Sequence, residues 1–515
     1  MELSSRDALA CTLALALFGY LYHRRARTHS RPPVPPGPPK LPILGNLLQL
    51  PIGGPVWEIW AEWSRKYESD VIHVKVPGTS LVVVNSLQAA KELFERRSSI
   101  YSSRPRFPMA GELVGWGWQF TIQAYGARWR EQRRLFTQYF HPSKVRNHQP
   151  LLARQAHILL HRLLDPQENF MHAYQHVMAA MSISLAYGIN VLPANDPHVY
   201  LAEKALNGFG QAATPGAFLV DALPILKHVP SFLPGAGFKR KAAEWRNWMI
   251  DFVEIPFAAA QKEIEEGVAH PSFTSHYLDN NNQSQVSAEG MQNIKEISAT
   301  IFTAGAHTTA SLLLSLTLVM ILYPDVQRKI HEELDRVIGH GRLPDWEDEE
   351  SLPYLKATIK ETLRWKPITP VAIPHSVIDD DVYNGYHIPK GSTVIGNTWA
   401  MLYNEEVYPN PTEFRPERFL KDEKLNLEVP DPVEVAFGFG RRICPGIHIG
   451  MAMTYISIAS LLSVFDLSKA VDSEGKTIEP SGEYDHIIVS QPMPFKCVFT
   501  PRSSEAVKLV HGLNF

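Results

Sequence analysis

The sequence predicts a mainly α-helical protein with minor β structure, folded as one large domain behind an N-terminal membrane anchor. Three observations carry this. An uncharged N-terminal run is closed by a basic cluster, a proline-dense segment follows it, and helical patterning fills most of the remaining chain with no second linker.

The run at residues 8–22 (ALACTLALALFGYLY) holds no charge, and His23, Arg24, Arg25 and Arg27 follow directly. A secretory signal places its positive charges ahead of the apolar run and a small-residue cleavage site behind it. Here the order is reversed, and the positive-inside rule keeps the rest of the chain cytosolic. The run is shorter than the ~20 residues of a full span. Either Met1–Ser5 and snorkelling arginines extend it, or it lies in the interface. Residues 1–28 are thus read as an anchor with a basic stop, in the endoplasmic reticulum membrane, with the body in the cytosol. Pro32-Pro33-Val34-Pro35-Pro36-Gly37-Pro38-Pro39 makes residues 29–40 a hinge, because dense proline fixes φ and favours an extended, stiff spacer.

Residues 41–515 are expected to form one domain. A single core usually stops growing near ~250–300 residues, but no Pro/Ser-rich linker or internal repeat divides this stretch. The net charge of −3 gives no reason to expect nucleic acid as a partner. Of three cysteines, Cys11 lies in the apolar run, which argues against a disulfide framework. Asn282-Gln283-Ser284 matches a glycosylation triplet and is read as unused on the cytosolic side.

Within the body, Val71–Val76 and Leu81–Val84 predict a hairpin about Pro77-Gly78. Lys295 to Tyr323 reads as one long helix stopped by Pro324, and Leu352 to Trp365 as another ended near Pro367. Val382–Tyr386 and Thr393–Gly396 read as strands joined by a turn at Pro389-Lys390-Gly391. Asp279–Ser287 reads as a polar surface loop.

The strongest chemical signal is Phe437-Gly438-Phe439-Gly440-Arg441-Arg442-Ile443-Cys444-Pro445-Gly446, followed by a long apolar helix pattern. A cysteine at a helix start meets backbone N–H groups and the positive end of the dipole, both of which favour thiolate. Gly440 and Gly446 would let the loop approach a flat cofactor, Arg442 would meet a carboxylate, and Phe437 would cover an aromatic face. A lone cysteine is more often a buried structural residue; the ten-residue pattern favours ligation.

This segment resembles the haem-binding signature of the cytochrome P-450 superfamily, F-x-x-G-x-R-x-C-x-G, at every fixed position. The resemblance implies the haem-thiolate fold, haem (heme b) with iron bound axially by Cys444, and monooxygenase activity. Electrons would come from NADPH through a partner NADPH-cytochrome P-450 reductase, the nucleotide not binding this chain. Other segments resemble further family motifs, in the family's order. Glu361-Thr362-Leu363-Arg364 is similar to E-x-x-R, and Arg418 of Pro416-Glu417-Arg418-Phe419 would join that pair in a structural lock. Trp129 and Arg133 resemble the family's W-x-x-x-R, implying contact with the haem propionates. Arg104 and His375 resemble two further propionate contacts of the drug-metabolising branch. The basic face of Arg128, Arg130, Arg133, Arg134 and Arg441 would dock an acidic reductase, or be a merely solvated face.

Ala304-Gly305-Ala306-His307-Thr308-Thr309 is similar to the distal motif [AG]-G-x-[DE]-T-[TS]. Ala304 and Gly305 would leave room for dioxygen and substrate, and Thr308 would organise protons. His307 departs from the family's acid at that position; it is either a relay, with an ordinary pKa of ~6.5, or a packing residue. In detail the chain resembles the fungal secondary-metabolite branch that includes O-methylsterigmatocystin oxidoreductase. That implies an apolar small-molecule substrate and a pocket lined by 107–121, 298–308, 369–374 and 487–489. Two rivals are a haem-thiolate isomerase or dehydratase acting on a hydroperoxide without a reductase, and a non-enzymatic haem sensor.

Overall fold

The computed structural model describes residues 32–51, 53–214, 216–279, 286–486 and 488–513. The anchor expected at residues 1–28 lies outside them, as do the glycosylation triplet and the middle of the polar loop about it.

Helices dominate. The longer ones are α1 (Val56–Lys66), α2 (Ala127–Tyr139), α3 (Val145–Leu163), α4 (Phe170–Tyr187), α5 (Pro197–Ala213), α6 (Gly237–Glu265), α7 (Ala288–Leu322), α8 (Pro324–Val337), α9 (Pro353–Trp365) and α10 (Ile447–Val464). Local chemistry sets several ends. Asn169, Asp196 and Ser287 cap α4, α5 and α7 with side-chain oxygens on the first-turn amides. Gly188 ends α4 with φ +79°, a conformation glycine adopts without Cβ strain. Pro324 does more than stop α7. A proline disfavours helical geometry in the residue before it, so Tyr323 breaks the helix at φ −126°, ψ 71°, and Pro324 then serves as the first residue of α8.

Among the described residues the buried core is extensive, with one main cluster and two smaller ones about the sheet. One contiguous cluster of buried apolar side chains runs from Met109 to Val510. It is organised by α4, α7 and α10, whose polar side chains are mostly hydrogen-bonded inside it. The Tyr174 and Thr317 hydroxyls share a hydrogen bond of 2.8 Å between α4 and α7, and Thr274 and Ser298 share another of 2.8 Å. α7 and α10 are long and apolar enough to cross a membrane, yet most of each is buried within the protein, which marks them as core helices.

The minor sheet has strand order β1-β2-β6-β3. β1 (Val71–Val76) and β2 (Thr79–Val84) pair antiparallel, β2 runs parallel to β6 (Thr393–Gly396), and β6 is antiparallel to β3 (His375–Ser376). The turn at Pro389-Lys390-Gly391 is present, but the first run differs from expectation. Residues 382–386 are not one strand; β4 (Asp381–Tyr383) and β5 (Tyr386–Ile388) form their own hairpin across Asn384-Gly385. Both turn residues have positive φ there, the geometry that an Asn-Gly pair accommodates. The chain then leaves this hairpin to add β6 beside β2.

Residues 32–40 are not a free spacer either. The carbonyls of Pro33 and Pro36 accept hydrogen bonds from the His387 and His73 amides, and Asn46 donates to Pro38 and Pro39. A Cβ on Gly37 would stand 2.2 Å from the His73 carbonyl oxygen, so only glycine fits where the segment crosses β1.

Candidate active site

The loop carrying Cys444 enters α10 through Gly446, the residue capping that helix. The Cys444 amide donates to the Phe437 carbonyl at 2.8 Å, which closes the loop on itself. A Cβ on Gly446 would stand 4.0 Å from the sulfur. Burial pushes the Cys444 thiol up, against the backbone amides of Gly446 and Ile447 and the charge of Arg133. The amides at the helix start thus act toward thiolate as expected, burial outweighs them, and a bound metal would deprotonate the thiol outright. Gly440 is also corrected in its reason. With φ +54° its Cβ would meet the Phe94 carbonyl oxygen at 2.2 Å, so the glycine serves the approach of one backbone to another.

Beside this loop lies a group of buried basic side chains. Arg442 donates to the carbonyls of Ser102, Phe120 and Gln123, and its guanidinium stacks 4.3 Å over the Trp129 ring. Arg104 donates to Thr121, Ile373 and Pro374. The His375 Nδ1 lies 2.7 Å from the Tyr101 carbonyl, with its ring 4.5 Å from Phe94, which in turn stacks on Phe439 of the cysteine loop. Burial and the charge of Arg133 push Arg442 down to about 9, while burial and the neighbouring guanidinium charges hold Arg104 and His375 well below their ordinary values. Among the described residues no carboxylate pairs with Arg104 or Arg442. Buried cations need an anion, so this group fits a cofactor bearing carboxylates.

The Trp129 ring packs against Arg442 of that group, and Arg133 lies on its cysteine side. The Trp129 indole donates to Phe120 at 3.0 Å, so its one polar atom is engaged and it contributes its ring. Arg133 donates to the Ile443 carbonyl at 2.7 Å, beside the sulfur. The basic face is reduced. Arg128 grips Glu296 of α7, which is only 3% exposed, at 2.5 and 2.6 Å, and Gln132 completes that site at 2.7 Å. Arg134 pairs with Glu131, while Arg130 and Arg441 lie over the Tyr125 ring. The sequence offered no signal that Glu296 is a buried partner.

The lock of α9 has the expected form. Glu361 and Arg364 are both fully buried and paired through two hydrogen bonds of 2.7 and 2.8 Å. Arg418 adds a third at 3.0 Å, and the Arg415 amide a fourth at 2.8 Å.

On α7, Ala304 is exposed, and Thr303, Gly305, His307 and Thr308 are part-exposed, although the turns on either side are buried. An accessible stretch in the middle of a core helix marks a cleft. Thr308 donates its hydroxyl to the Ala304 carbonyl at 2.7 Å. Gly305 is corrected: its Cβ would strike the Ser182 hydroxyl at 2.5 Å, so it admits α4 rather than dioxygen. Burial holds His307 below the ordinary histidine range, with Glu203 of α5 as the charge acting against that.

Comparison with known proteins gives the class. The chain belongs to the cytochrome P-450 family, whose model matches residues 35–499. It is 43% identical over 505 residues to cytochrome P-450 monooxygenase ple1 of Rhodocybe pseudopiperita, covering 98% of this chain and 96% of that one. It is 42% identical to cytochrome P-450 monooxygenase 98 of Postia placenta (95% and 94% covered), and 39% identical to tryptamine 4-monooxygenase of Psilocybe cyanescens (97% and 99%). The chain is thus a haem-dependent monooxygenase, and the family carries its haem on a cysteine thiolate.

Proposed function

We propose that this protein is a membrane-anchored haem-thiolate monooxygenase that inserts one oxygen atom from O2 into an apolar small molecule, most fittingly a fungal secondary metabolite. Cys444 is its axial ligand, and electrons come from NADPH through a cytochrome P-450 reductase. The observation that carries the reading is the set of buried, carboxylate-free cations at Arg104 and Arg442, the latter two residues from Cys444. Relatives named as monooxygenases over nearly the whole chain support it.

Haem, when bound, supplies an iron that activates dioxygen, with the thiolate donating electron density. The chain supplies the rest. Arg104 and Arg442 would hold and neutralise carboxylates beside His375, while the Gly446 and Ile447 amides and Arg133 favour negative charge on sulfur. Thr308, its proton engaged by Ala304, presents oxygen lone pairs to the cleft and hands protons on. His307, kept neutral by burial, is suited to accept and release a proton on that route. Exposed Ile43, Leu48, Leu219, Ile225 and Phe232 support contact with lipid beyond the anchor, at the endoplasmic reticulum.

Co-expression with a reductase tests the reading. NADPH-dependent oxygen uptake with a product heavier by one oxygen atom is the expected result. Turnover of a hydroperoxide with no reductase, and no such oxygen uptake, would favour an isomerase instead.

A further inference from the structure

A second cavity, of about 430 Å³, opens between the start of α1, the segment after α9 and the loop near the C-terminus. None of the residues placed beside Cys444 lines it, although Pro370 belongs to the stretch 369–374 expected to border the substrate pocket. Its walls include Trp57, Trp399, Tyr484 and Lys366, with Glu58 and Glu483 at the same cavity. The walls are fastened to one another: Ser490 donates from its amide to Ile368 at 2.7 Å, Trp399 to Pro370 at 2.9 Å, and the Asn397 side chain to the Trp57 carbonyl at 2.8 Å. The site is therefore preformed, which lowers the ordering cost of binding.

Its charges are arranged in an uncommon way. The Lys366 ammonium lies 5.0 Å over the Trp365 ring and 4.9 Å over the Tyr484 ring. Among the described residues it has no hydrogen-bond acceptor and no ion pair. Burial lowers its pKa, with Glu58 as the charge acting against that. Glu58 thus feels Lys366 across the cavity without closing an ion pair on it. A half-desolvated cation and a carboxylate, held apart over aromatic walls, complement a molecule carrying the reverse pair of charges on an aromatic body.

We propose that this cavity binds a small aromatic zwitterion of the α-amino-acid class, its carboxylate on Lys366, its ammonium on Glu58 and its ring against Trp57, Trp399 and Tyr484. The proposal does not depend on the oxidative chemistry, because the site is separate from the cysteine loop.

Equilibrium dialysis of radiolabelled L-tryptophan against the purified, haem-loaded full-length protein tests it. One saturable site is expected, with no shift of the haem Soret band. Indole-3-acetate lacks the ammonium and tryptamine the carboxylate, and each should bind about tenfold more weakly or worse, as losing one charge-assisted contact does. Lys366→Met and Glu58→Gln should each weaken L-tryptophan to a similar degree. Glu58 is exposed, so its variant keeps the test open if Lys366→Met fails to fold. No saturable binding would overturn the proposal. So would equal binding of all three probes, binding unchanged in both variants, or binding that moves the Soret band.

Discussion

At the scale of single residues, proton delivery rests on Thr308 and His307. A general acid–base contribution reaches ~10²–10⁴-fold, and water replaces part of a lost hydroxyl. Thr308→Ala is therefore expected to divert reducing equivalents to peroxide while haem reduction persists; unchanged coupling of NADPH to product would count against its role. For His307 the sign follows from its environment. Its folded pKa lies below the ordinary value, so it stays neutral from neutral pH upward and takes a proton only on acidification. Coupling should be flat above neutrality and fall toward acid pH. His307→Ala should lower coupling, and His307→Asp should restore much of it. Equal coupling in wild type and His307→Ala would make this a packing residue. The motif around Thr308 was legible because it is contiguous. The duty of Gly305 was not, since Ser182 is remote in sequence and only the meeting of α4 with α7 brings it near.

The same contrast holds among elements. E-x-x-R was readable because one helical turn puts Glu361 and Arg364 on one face, and the P-E-R-F segment named the third member. Glu361→Gln strands two buried guanidinium groups, so a loss of ~3–5 kcal/mol is expected in unfolding experiments. Gly305→Ala should cost ~1–3 kcal/mol through overpacking against Ser182. That cost should largely disappear in a Ser182→Ala background, which removes the colliding oxygen; a loss that stays additive would refute the contact. Arg128 shows where local reading stops. Four arginines on α2 resemble a solvated face until α7 delivers Glu296 beneath one of them. The Asn384-Gly385 turn, by contrast, was a plain local signal hidden by treating 382–386 as one strand. β1 carries a further consequence. His73 is 2% exposed, both its ring nitrogens lack partners, and burial beside Lys40 and Lys75 holds it at about 4. Because the folded pKa lies below the unfolded value, the stabilisation is complete above about 6.5 and is lost as pH falls toward 4. At 1.36 kcal/mol per pH unit this amounts to ~3 kcal/mol. His73→Leu should flatten the acid limb of a stability profile; parallel limbs would contradict this reading.

For the whole molecule, length favoured a split, whereas the main buried cluster joins Met109 to Val510, with two smaller clusters about the sheet. In the sequence only a missing linker argued for one domain, while the order of family motifs pointed to the family as periodicity could not. The proline segment, read as a spacer, instead docks on β1 and β5, because its carbonyls find donors that only the folded sheet presents. Deleting residues 1–28 should release much of the protein from microsomes with its haem spectrum intact. Some association should persist through the exposed apolar side chains near Leu219 and Phe232. Full-length protein that fractionates as soluble would remove the anchor from the account.

The most direct test concerns Cys444. The reduced, carbon monoxide-treated protein should show the red-shifted Soret band of thiolate-ligated haem. Cys444→Ala should abolish that band, and Cys497→Ala should leave it unchanged. A Cys444→Ala protein that retained the band would contradict the central claim.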